Sequence, residues 1–136
     1  MNRFLVSALA VAALFALVGS PGFAQGAPVA PYAGSGKPEP KDPAVEKLVA
    51  NAQKLEKQLK AKPTDAKLKL KTADAWYQAG YALEYSKAGL SSKTRYRGAL
   101  KHYRSALALD PKHAKAAFEK KQIEDIYRSM GIQVPQ

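Results

Sequence analysis

The chain has 136 residues, 22 Lys and Arg against 11 Asp and Glu, and no Cys. That length suits one domain. The missing Cys excludes disulfides and thiolate metal sites, so stability rests on packing alone in a size range where packing is scarce. A formal net charge of +11 points either to acidic partners or to a heavily solvated surface.

The N-terminus carries one Arg, Arg3, and then Leu5–Val18, a 14-residue run without a charge or strong polar group. Gly19, Ser20 and Pro21 break the run, and Gly22-Phe23-Ala24 precedes Gln25. This is the layout of a secretory signal peptide over residues 1–24, with cleavage after Ala24. A membrane-crossing helix needs about 20 apolar residues, so an uncleaved anchor is the lesser alternative. No Cys follows the run, which excludes lipoprotein acylation. The expected mature chain is exported, either periplasmic or secreted. It meets a membrane only through an anionic surface or an uncleaved signal. Residues 25–42 are dense in Pro and Gly and read as a disordered linker.

Asp42-Pro43 predicts a helix start, because Asp accepts orphan N–H groups and Pro at the first helical position loses nothing. The first helix runs to about Ala61, with Val45, Leu48, Val49, Ala52, Leu55 and Leu59 on one face, and Pro63 stops it. Thr64 or Asp65 caps a second helix to about Lys87, the longest of the four. Its start, KLKLKT, alternates like a strand, but Ala73, Ala75, Ala79 and Ala82 favour helix. It carries two apolar stripes, one of Leu68, Thr72, Ala75, Ala79 and Ala82, the other of Leu70, Ala73, Tyr77 and Tyr81. Gly80 costs such a helix about 1 kcal/mol relative to Ala, which asks for a packing reason. Residues 88–92 read as a loop. A third helix follows from about Lys93 to Leu109, and its apolar face is Tyr96, Ala99, Leu100, Tyr103, Ala106 and Leu107. Asp110-Pro111 turns the chain into a fourth helix, from about Pro111 or Lys112 to Ser129, closed by Gly131. The fold class is all-α, with two antiparallel hairpins side by side over residues 43–131 and a loose tail at 132–136.

Trp76 and Gly80, followed by Ala99, Tyr103, Ala106 and Pro111, resemble the tetratricopeptide repeat, a helix pair of about 34 residues. Ala79 stands where that pattern has Leu, and Leu83 where it has Tyr. The gap from Gly80 to Ala99 is about seven residues longer than usual, implying longer helices or an enlarged loop at Tyr85–Thr94. The resemblance implies a short right-handed array of about four helices. Gly80 and Ala99 then allow close helix approach, and Tyr103 fills between the pair and its neighbour. Lys120 and Lys121 mark the fourth helix as a polar end cap. With fewer than three full repeats, the chain pairs with itself or gains stability on a partner.

The search for chemistry is short. His102 and His113 read as solvated surface residues and fall short of the three or four ligands a zinc site needs. No hydrolase, metalloprotease or phosphate-loop motif occurs. Asp74 and Glu84 are too far apart for paired acid–base work. The expectation is a non-enzyme without metal or cofactor. The resemblance implies a concave surface for a protein or peptide segment, placed on Tyr77, Gln78 and Tyr81 of the second helix and on Lys115, Phe118, Glu119 and Gln122 of the fourth. Tyr suits such a groove by joining apolar area to a polar tip. The alternative is a basic envelope-associated protein that uses Arg95, Arg97, Lys101 and Arg104 on the third helix to bind anionic polymers or lipid headgroups. Export argues against nucleic acid as the partner.

Overall fold

The computed structural model describes residues 38–136. The predicted signal peptide and residues 25–37 of the linker lie outside them. The described residues form four α-helices and no strand: α1 Pro43–Ala61, α2 Ala66–Glu84, α3 Ser92–Leu109 and α4 Ala114–Ser129. None is long and apolar enough to cross a membrane.

Each start is chemically explained. The Asp42 carboxylate accepts from the N–H groups of Ala44 and Val45, and Asp65 accepts from Leu68. Ser91 accepts from the Thr94 N–H. The fourth cap is unexpected. Nδ1 of His113 accepts from the Ala116 N–H at 3.1 Å, so α4 begins at Ala114 rather than at Pro111 or Lys112.

α2 also differs. It ends at Glu84, not Lys87, and its 19 residues only match α1. The chain leaves the helix because it is caught elsewhere. The Ser86 hydroxyl donates to Asp42 at 2.6 Å, and Nη1 of Arg95 donates to the Glu84 carbonyl at 3.2 Å, placing a cation at the helix C-terminus. The long gap between Gly80 and Ala99 is therefore taken up by the Tyr85–Ser91 loop. The end of the linker is held as well, since Glu39 accepts from the hydroxyl and N–H of Ser91. Residues 38–42 thus belong to the folded unit, which corrects the expected boundary.

α2 and α3 form the most extensive pair, with α1 against α2 alone and α4 against α3 and, lightly, α2. The arrangement is a central hairpin flanked by one helix on each side, in place of two equal hairpins. The core joins Ala52 and Leu55 of α1 to Ala75, Trp76 and Ala79 of α2. It continues through Ala99, Leu100, Tyr103 and Ala106 of α3 to Ala116, Ile123 and Tyr127 of α4. Half of these residues are Ala, which brings the helices close. The sequence-predicted faces of α1 and α3 are the buried ones, but the second stripe of α2 is not all core: Leu70 is 56% and Tyr81 44% exposed. The tail is not loose, because Val134 packs against the core.

Candidate functional site

Gly80 lies at a tight contact between α2 and α3. A Cβ there would stand 2.7 Å from Cε1 of Tyr103 and 3.2 Å from Cβ of His102. Trp76, Ala99, Tyr103 and Ala106 are buried around this contact, while Pro111 is exposed in the turn after α3. Sequence reasoning missed the polar bond inside it. The Tyr103 hydroxyl donates to Glu84 at 2.6 Å, and both residues are buried. Burial raises the Glu84 carboxyl above its ordinary range even though this bond works the other way. Burial and the nearby Glu84 carboxylate also push the Tyr103 phenol upward.

Neither histidine is a solvated surface group. His102 stacks on Trp76 with ring centroids 5.2 Å apart, and its buried Nδ1 has no partner among the described residues. His113 caps α4, lies 5.1 Å from the Tyr77 ring, and places Nε2 3.8 Å from Asp74. No group of three or more His, Asp or Glu among the described residues is placed to share a metal ion.

The sequence-predicted partner surface divides into two strips. Tyr77 and Tyr81 on α2 and Tyr85 at its C-cap repeat every fourth residue, with centroid spacings of 5.9 and 4.7 Å. Tyr77 is half-buried against Tyr103, whereas Tyr81 and Tyr85 are 44% and 54% exposed. Tyr85 was not expected here, although its four-residue spacing from Tyr81 was legible in the sequence. Its hydroxyl donates to Glu119 of α4 at 3.5 Å, joining the two helices. Burial, then the charges of Glu84 and Glu119, push the Tyr85 phenol up to about 12. Gln78 donates to Asp74 at 2.7 Å, so its amide is already engaged. On α4, Phe118 is 60% exposed and borders a shallow concavity of about 90 Å³ with Lys121, Gln122 and Asp125. Lys115 is exposed, and no ring contact joins Phe118 to the tyrosines among the described residues.

The sequence-predicted basic set also changes. Arg95 is half-buried, bonded to the Glu84 carbonyl and to Ser92, with its guanidinium 5.8 Å from the Tyr96 ring centroid. It closes α2 and is not free to bind. Arg97 and Lys101 are exposed, and Arg104 reaches Glu124 at 4.0 Å. Around them α3 and the C-terminal residues Pro135 and Gln136 border an open concavity of about 620 Å³. The cations in the later half of α4 are paired within the helix: Lys120 holds Glu124, while Lys121 and Arg128 hold Asp125. No family model, curated protein or solved structure matches this chain.

Proposed function

We propose that this chain is an exported, tetratricopeptide-like interaction module without catalytic activity, which captures a segment of a partner protein on the neighbouring faces of α2 and α4. The observation that carries this reading is the exposed aromatic surface, Tyr81 on α2, Tyr85 at its C-cap and Phe118 on α4. Exposed aromatics desolvate at low entropic cost, and Tyr adds a hydrogen-bonding tip. The tight contact at Gly80, with Trp76, Ala99, Tyr103 and Ala106 buried around it, supports the repeat-like reading of the α2–α3 hairpin.

The test is site-specific photocrosslinking in the native envelope. A benzophenone side chain in place of Tyr81 or Phe118 captures one defined partner, and the same group in place of Lys54 on α1 does not. With the benzophenone moved to exposed Gln122 beside Phe118, Tyr81→Ala with Phe118→Ala abolishes capture at low and high salt alike, because apolar contacts are not screened. Equal capture from position 54, or capture that survives the double substitution, removes the site from this face.

A further inference from the structure

Arg97, Lys101 and Arg104 follow one another at intervals of four and three residues, so they share one strip of α3. Like charges at these spacings repel and weaken a helix. The usual structural reasons for tolerating them are missing. The last turn of α3 holds no basic residue, so the helix dipole does not account for the strip. Arg97 and Lys101 form no side-chain ion pair or hydrogen bond with a described residue. Arg104 reaches only Glu124, at 4.0 Å, and Glu124 is already held by Lys120 at 2.6 Å.

The strip forms one side of the 620 Å³ concavity. Gly98, Ser105 and Ala108 line it between the cations, and being small they leave the charged ends accessible. The opposite wall is Pro135 and Gln136, and the fold holds it in place. Gly131 turns the chain at φ +66°, the Ile132 N–H donates to the Tyr127 carbonyl at 3.0 Å, and Val134 packs on the core. The folded-back tail thus walls one side of an open groove in which Arg97 and Lys101 have no ion pair among the described residues.

We propose that this cleft binds a phosphate ester. Two guanidinium groups offer paired N–H donors matched to phosphate oxygens, and the lysine adds a point charge between them. A phosphate presents enough oxygens to engage all three cations, whereas a lone carboxylate presents two. The concavity leaves room beyond the phosphate for the group that it esterifies. The source is either a soluble phosphorylated molecule or the headgroup of an anionic lipid. This site is independent of the aromatic surface on α2 and α4, and each stands or falls without the other.

The test uses the protein expressed from its full sequence and titrated with tripolyphosphate in a calorimeter at about 0.15 M salt. Three proteins are compared: the wild type, the α3 variant Arg97→Gln/Lys101→Gln/Arg104→Gln, and the control Lys54→Gln/Lys57→Gln/Lys60→Gln. The control removes equal charge from exposed positions of α1. The α3 variant binds at least about tenfold more weakly than wild type, while the control stays within about twofold. Should the triple variant lose helicity by circular dichroism, Lys101→Gln alone carries the comparison, since this side chain is exposed. Co-sedimentation with phosphatidylglycerol vesicles then identifies the source. Vesicle binding displaced by tripolyphosphate assigns a lipid headgroup, and tripolyphosphate binding without vesicle binding assigns a soluble ester. Equal losses in the two triple variants, or no saturable binding by wild type, overturn the proposal.

Discussion

Replacing Gly80 by Ala adds one methyl group at a tight contact between α2 and α3. The new Cβ would stand 2.7 and 2.9 Å from two ring carbons of Tyr103 and 3.2 Å from Cβ of His102. Comfortable carbon–carbon contact is about 3.5–4.0 Å, so ring or helix has to retreat by roughly 1 Å. The ring has little freedom, because Tyr103 is fully buried and its hydroxyl is bonded to Glu84 at 2.6 Å. Overpacking a core costs about 1–3 kcal/mol, and a tethered ring belongs in the upper part of that range. Exchanging a helical Gly for Ala gains about 1 kcal/mol in propensity. The net expectation is a loss of about 1–2 kcal/mol, or a Tm lower by about 4–16 °C for a domain of this size. Thermal and urea melts followed by far-ultraviolet circular dichroism measure it. Gly98→Ala is the control, since its added methyl meets Cδ2 of Leu83, the movable end of a half-buried side chain, and costs less. A Gly80→Ala protein that melts at or above the wild-type temperature would falsify the close approach, and with it the role assigned to Gly80.

The buried Glu84–Tyr103 pair makes a signed prediction. The folded carboxyl titrates above its ordinary 4.5, so the folded state holds its proton longer than the unfolded chain, and the associated stability, full below pH 4.5, is lost as pH rises through the folded value. Tyr103→Phe deprives the carboxylate of its donor and costs about 1.5–3 kcal/mol at pH 7, less at pH 4. Glu84→Gln keeps an acceptor for the hydroxyl, and urea midpoints between pH 4 and 7 become flatter than in wild type. His102 has the opposite sign. Burial first, and then the charge of Lys101, hold it below its ordinary 6.5, so stability is full above pH 6.5 and declines as pH falls beneath that value. His102→Phe keeps a ring on Trp76 and removes that decline, which Tm measured from pH 7.5 to 5 detects. For α4, His113→Ala loses the cap and costs about 1 kcal/mol, whereas His113→Asn retains a capping oxygen and most of the stability. Equal melts for the two His113 variants refute the capping role.

Local chemistry was enough to place four helices, the caps of α1 and α2, and the faces of α1 and α3. Those features depend on residues within a turn or two of each other: Asp42 before Pro43, Asp65 after Pro63, apolar spacings of three and four. Of the other two caps, Ser91 lies in the stretch that reads as a loop, and His113 works through a ring nitrogen that no cap preference points to. The small residues at 80, 99 and 106 were likewise legible as a demand for close packing. What the sequence by itself could not determine was which long-range partner each side chain finds. Arg95 reads as a free cation until the end of α2 comes within reach of its guanidinium. Glu84 reads only as a carboxylate too far from Asp74 to pair with it, until Tyr103 reaches it from the next helix. α2 has the composition to continue to Lys87, yet it stops at Glu84 because Ser86 is held by Asp42, 44 residues earlier in the chain. The cleft beside Arg97 and Lys101 exists only because the tail folds back and anchors Val134 in the core. Helix propensity is set by neighbours in sequence, whereas burial, charge pairing and clefts are set by neighbours in space, and only the packed structure brings those together.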